Sequence, residues 1–153
     1  MNRLQGKVAL ITGAGSGIGK SASRIFSEEG AHVVIAEIDR RLGLTTEAMV
    51  KEQGGDALFV ETDVTDEDSA QRVVAATVER FGKIDVLYNC AGGSTVEDDY
   101  VTDVDMSEWQ RTMSLNLLGP HAKGDQGEVA MAVRRIAEQA DRAGQVIRSV
   151  HDF

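Results

Sequence analysis

Lys7-Val-Ala-Leu-Ile-Thr12 runs directly into Gly13-Ala-Gly-Ser-Gly-Ile-Gly19, and this stretch decides the fold. A short apolar run closing on glycines is the pattern of a parallel strand covered on both faces. Beyond it Ile18, Ala22, Ile25 and Phe26 recur at helical spacing until Gly30 stops the pattern. Strand, glycine turn and helix start together make an anion site. The first N–H groups of a helix have no partner within it, and glycine lets a phosphate approach them closely.

The same alternation repeats outward. His32-Val-Val-Ile-Ala-Glu37 is a second strand, a helix from Arg40 to Gln53 ends at Gly54-Gly55, and Ala57-Leu-Phe-Val-Glu61 is a third strand. Thr65-Asp-Glu-Asp68 offers a cap and first-turn acids to a helix whose stripe is Ala70, Val73, Val74, Thr77, Val78 and Phe81. Ile84-Asp-Val-Leu-Tyr88 follows as a fourth, buried strand. Strands alternating with helices of this length predict βαβ units and an α/β fold. Right-handed crossovers then predict a Rossmann-like, doubly wound parallel sheet of order 3-2-1-4.

Asp105-Met-Ser-Glu108 resembles a capping box before a helix over Trp109–Leu118. Gly119-Pro120, Gly124 and Gly127 break the pattern. A stripe from Val129 to Ala140 resumes it, and Gln145–Val150 would be a fifth strand in an otherwise incomplete sheet. Charge changes at the same place. Up to Pro120 there are 20 acidic and 11 basic residues, and from His121 onward five of each, so the first part carries the whole net charge of −9. The expectation is a dinucleotide-binding Rossmann-type domain over 1–120. Residues 121–153 would be an atypical helical segment packed on it or extending it.

The chain has 153 residues, 42% hydrophobic and 27% charged, which suffices for a buried core. Its acidity argues against nucleic acid, which needs clustered Lys and Arg. One cysteine, Cys90, excludes an internal disulfide framework, and His32, His121 and His151 have no metal spacing, so no metal is expected. Glu97, Asp98, Asp99, Asp103, Asp105 and Glu108 match no calcium-loop spacing and are read as a solvated run. No apolar run approaches the roughly 20 residues of a bilayer span. Met-Asn-Arg-Leu-Gln-Gly-Lys7 does not lead into a signal peptide. A soluble, cytoplasmic domain without membrane contact is expected. Homo-oligomer contacts through the Val129–Ala140 stripe are open.

The glycine loop fits two nucleotide patterns imperfectly. The strict G-x-G-x-x-G spacing fails at Ile18. The loop of ATPases and GTPases, G-x-x-x-x-G-K-[ST], ends correctly at Gly19-Lys20-Ser21 but has Ala14 where its first glycine belongs. In the P-loop alternative, Lys20 would reach the outer phosphates and Ser21 would hold Mg²⁺. A plain strand-to-helix turn is the third reading. Glu37 shifts the balance, standing 18 residues beyond Gly19 at the end of the second strand. A carboxylate there binds the adenosine ribose and repels a 2′-phosphate, so NAD is favoured over NADP. Arg40 and Arg41 nearby would soften that discrimination.

Four ordered stretches resemble the short-chain dehydrogenase/reductase family over roughly residues 4 to 119: Thr12-Gly13-Ala-Gly-Ser-Gly17-Ile18-Gly19, Asp63-Val64, Asn89-Cys90-Ala91-Gly92 and Asn116-Leu-Leu-Gly119. The resemblance implies that Gly13, Ser16, Gly17, Ile18 and Gly19 hold the pyrophosphate. Asp63 and Val64 would flank the adenine, while Asn89, Ala91 and Gly92 shape the floor under the nicotinamide ribose. Cys90 is read as a packed thiol. Asn116 matches the family's catalytic-site asparagine, which holds a water in the proton relay.

The family moves a hydride between nicotinamide and an alcohol or carbonyl carbon. A tyrosine serves as the proton donor or acceptor, its pKa lowered by a lysine four residues later. The two tyrosines here, Tyr88 and Tyr100, have Gly92 and Val104 at that spacing. The resemblance therefore implies an NAD(P)-binding oxidoreductase with a small-molecule substrate, in a chain that lacks the catalytic pair and is expected to be truncated or inactive. A serine that orients the substrate would be Ser149 if the fifth strand is aligned correctly. A non-catalytic NAD-binding or regulatory module is the alternative from another class.

Overall fold

The structure is a computed structural model that describes residues 2–93 and 106–118. Four strands, β1 (Val8–Thr12), β2 (His32–Glu37), β3 (Ala57–Glu61) and β4 (Val86–Asn89), alternate with α1 (Gly17–Glu28), α2 (Arg40–Glu52) and α3 (Glu67–Phe81). All pairings are parallel and the order is β3-β2-β1-β4, the expected 3-2-1-4. In register, Thr12 lies opposite Ala36 and Asn89, and Glu37 opposite Glu61, so the strands finish along one edge of the sheet.

Both faces of the sheet are covered, which is why its strands are apolar without alternation. Ala9, Ile11, Val33 and Ile35 pack with Ala22 of α1 and Val50 of α2 on one face. Val8, Leu10, Val34 and Ala36 pack with Val73 of α3 on the other. The face that α1 presents differs from the expected stripe. Gly19, Ala22 and Ser23 are buried and Phe26 packs on the core, whereas Ile18 and Ile25 are 73% and 42% exposed. The helix meets the sheet through its small residues, because a Cβ at Gly19 would collide with the carbonyl oxygen of Gly13. Apolarity at helical spacing does not report that backbone approach.

β4 also departs from expectation. The expected strand Ile84–Tyr88 is found at Val86–Asn89, and Tyr88 is 37% exposed rather than buried. β4 is the outer strand among the described residues, and the Phe26 ring, 5.6 Å away between centroids, covers one side of Tyr88. Before it, Asp85 accepts the Val8 N–H at 2.9 Å and clips the start of β1.

The described residues form two compact units, one of residues 2–63 and Asp68–Ala91, the other of Val64–Glu67 with the residues from Gly92 on. The second contains α4 (Met106–Met113), continued by a π-helical turn, Ser114–Leu118. Glu108 is the third residue of α4 as expected, yet it is only 7% exposed. Its carboxylate takes Arg111 at 2.8 and 3.0 Å, so it is no part of a solvated run. The interruption at 119–127, the stripe at 129–140, the fifth strand, Ser149, the Pro120 boundary and the other five acids of the run lie outside the described residues. Among the described residues no helix is long and apolar enough to cross a membrane.

Candidate functional site

The start of α1 is left uncapped by side chains. Ser16 stands at its N-cap in extended conformation but makes no capping hydrogen bond, and the first turn holds no acid. The first bond that closes the helix is Lys20 N–H to Ser16 O at 3.0 Å, so the amides of Gly17, Ile18 and Gly19 have no partner within it. Ser16, Gly17 and Ile18 are exposed. α2 is the contrast: its N-cap, Asp39, accepts the N–H groups of Arg41 and Leu42 at 2.9 and 3.0 Å.

Glycine is needed here for two different reasons. Gly13 has φ +62°, and a Cβ on it would lie 2.7 Å from the Ala91 nitrogen. Gly17 has φ +49° and open space around it. Two buried hydroxyls that sequence reading left without a role, on Thr46 and Thr12, brace the loop, and a third, on Ser23, bonds within α1. Ser23 donates to Gly19 O at 2.9 Å, and Thr46 donates to Gly15 O at 3.4 Å. Thr12 accepts the N–H groups of both Cys90 and Ala91 at 3.1 Å. A threonine that ends a buried apolar run just before glycine is the signal that could have found the last.

Glu37 is buried at the end of β2 and its carboxylate accepts three backbone N–H groups, from Gly15 at 2.9 Å, Ile38 at 3.0 Å and Asp39 at 3.1 Å. Arg40 is turned to Glu61 at 3.4 Å, both side chains largely exposed. The first unit thus brings together Gly13, Ser16, Gly17, Ile18, Gly19, Glu37 and Ala91 at the strand ends. Asn89 ends β4, and Asp63 follows β3 with its N–H on Ser69 Oγ at 3.0 Å. Ser21, the magnesium ligand of the P-loop alternative, instead donates its hydroxyl back to Gly17 O at 3.0 Å.

In the second unit, Asn116 lies in the π-helical turn and clamps one residue. Its Oδ1 accepts the Gly93 N–H and its Nδ2 donates to Gly93 O, both at 2.9 Å, with a further bond to Thr112 O at 2.9 Å. A Cβ on Gly92 would lie 2.5 Å from Asn116 Oδ1. The side-chain amide is therefore committed to backbone, and its effect on any relay passes through the chain it positions. Val64, in the same unit, is buried.

Tyr88 sits beside Cys90 near the end of β4. The charge that neighbouring Cys90 takes on ionisation, a hydrogen bond between the two side chains and partial burial all push the Tyr88 hydroxyl above its ordinary value. A relay tyrosine needs the opposite shift.

A family model described as short chain dehydrogenase matches residues 7–146. An uncharacterized oxidoreductase of Thermotoga maritima is 45% identical over 118 residues, which are 77% of this chain and 45% of that protein. A short chain dehydrogenase from Mycobacterium smegmatis superposes with TM-score 0.73 at 31% identity, over 92% of this chain and 53% of the other. A 7α-hydroxysteroid dehydrogenase complexed with NADH and 7-oxo glycochenodeoxycholic acid gives TM-score 0.70 at 34% identity, over 75% and 44%. The chain belongs to the short-chain dehydrogenase/reductase family. It spans about half the length of the relatives it matches.

Proposed function

We propose that this chain forms the nicotinamide dinucleotide site of an oxidoreductase acting on an alcohol or carbonyl compound, and that it prefers NAD to NADP. The observation that carries the reading is the uncapped start of α1 on the same sheet edge as the buried Glu37. A pyrophosphate fits the first and an adenosine ribose the second. When bound, the nicotinamide supplies the hydride acceptor or donor.

The chain's own residues then divide the work. Gly13, Ser16, Gly17, Ile18 and Gly19 hold the pyrophosphate through backbone amides, and Glu37 takes the ribose. Asp63 and Val64 flank the adenine, and Asn89, Ala91 and Gly92 lie under the nicotinamide ribose. Asn116 positions the backbone of the proton relay by its hold on Gly93. The setting is cytoplasmic, a reading supported by the single free thiol of Cys90.

Fluorescence titration with NADH, NADPH and ATP–Mg²⁺ tests the proposal. NADH should bind at least about tenfold more tightly than NADPH, the loss of a charge-assisted bond plus repulsion. Thermal stabilisation by ATP–Mg²⁺ with none by NADH would sink it.

A further inference from the structure

The three N–H groups on Glu37 converge from two segments, Gly15 from the glycine loop and Ile38 and Asp39 from the turn into α2. Backbone amides gathered on one point form an anion cradle. Here the occupant is the protein's own carboxylate, on a residue only 9% exposed. The wall of that seat is Gly15. A Cβ there would lie 2.7 Å from Glu37 Cγ, 2.8 Å from its Oε2 and 2.8 Å from Leu42 Cβ. Gly15 is not among the glycines with positive φ, so its backbone would accept alanine and it is the space that demands glycine.

We propose that cofactor choice at this site is made by a pair: Gly15 seats Glu37, and the seated carboxylate occupies an amide cradle that would otherwise receive a 2′-phosphate. The inference rests on the dinucleotide reading above and deepens it. A carboxylate has about four acceptor positions. Three are filled by backbone, which leaves about one, on Oε2, for a ribose hydroxyl. Glu37 thus acts against NADP by occupancy as well as by repulsion, and removing its side chain turns three satisfied amides into three donors facing the ribose. Gly15 acts through Glu37 and is a positioning residue: any side chain there pushes the carboxylate out of its seat.

The test is calorimetric binding of AMP and adenosine 2′,5′-bisphosphate to the wild type, Glu37→Ala, Gly15→Ala and the double variant, with NADH titrated into the wild type. The wild type should prefer AMP, and Glu37→Ala should shift the ratio toward the bisphosphate by at least about tenfold, as three freed amides take the phosphate. Gly15→Ala should weaken AMP by about tenfold in the wild-type background and by clearly less once Glu37 is gone and only the contact with Leu42 Cβ remains, the non-additivity of a coupled pair. Should Glu37→Ala fail to fold, Glu37→Val carries the same comparison, because its β-branched side chain suits the end of a strand and accepts no hydrogen bond, leaving the three amides open; a shift toward the bisphosphate supports the pair. No gain for the bisphosphate in the folded variant, or equal loss from Gly15→Ala in both backgrounds, overturns it while NADH binding by the wild type leaves the dinucleotide reading standing. A wild type that binds no NADH overturns that reading itself.

Discussion

The hydroxyl oxygen of Thr12 accepts the Cys90 N–H at 3.1 Å, so the last residue of β1 holds the chain as it leaves β4. The same oxygen takes the Ala91 N–H, and Gly13 next to it leaves no room for a side chain against Ala91. Two loops that are 78 residues apart in sequence are thereby fixed to each other at the strand ends.

Thr12→Val keeps the shape and removes the acceptor. Two half-buried N–H groups lose their partner, at a cost of about 1–3 kcal/mol. Urea denaturation should show that loss, and NADH affinity should fall with it, because Ala91 belongs to the proposed ribose floor. Thr12→Ser should restore most of both. A valine variant as stable as the wild type would remove the clamp.

Gly17 and Gly19 should respond differently to alanine. Gly17 has a positive φ and open surroundings, so Gly17→Ala costs about 1 kcal/mol of backbone strain. At Gly19 the new Cβ meets the carbonyl of Gly13, and overpacking of this kind costs about 1–3 kcal/mol and displaces the helix start. Thermal melts should rank Gly19→Ala below Gly17→Ala, and NADH titration should show the larger loss for the former. The reverse order would mean that α1 does not approach β1 as described.

Asp85 predicts an acid limb of stability. The hydrogen bond from Lys83, then those from the Val8 N–H and Lys7, hold its carboxyl at about 2, below the ordinary 3.8. The stabilisation is present above the ordinary value and is lost as pH falls through that interval. Urea midpoints measured between neutral pH and the acid range should therefore decline less steeply for Asp85→Asn than for the wild type. Parallel curves would show that the lowered value has no consequence for folding.

Asn116 should tolerate no change of hydrogen-bond polarity. Asn116→Asp removes both donors and sets a carboxylate against the carbonyl oxygens of Gly93 and Thr112, at about 1–3 kcal/mol. Hydrogen exchange of the Gly93 amide reads the clamp directly. Faster exchange is expected in Asn116→Ala, and unchanged exchange would refute it.

Much of the fold was legible in the sequence because parallel strands buried on both faces read as apolar runs and glycines mark their ends. His32–Glu37 and Ala57–Glu61 carry that signal intact. Ile84–Tyr88 misled, since a strand at the edge of the described sheet has the same apolar pattern while leaving Tyr88 half open. At the site, composition and spacing pointed to the glycine loop and Glu37. They could not show Thr12 and Thr46 as its braces, because a hydroxyl's partner is chosen by where distant backbone ends up.

The chain by itself determined the strand order, the family and the acid at the end of β2, since these follow from local pattern and from motifs in order along the chain. Only the tertiary structure decided how that acid is used. Glu37 meets the Gly15 amide across 22 residues of sequence, and a seat of that kind exists only once β1, β2 and the turn into α2 are side by side.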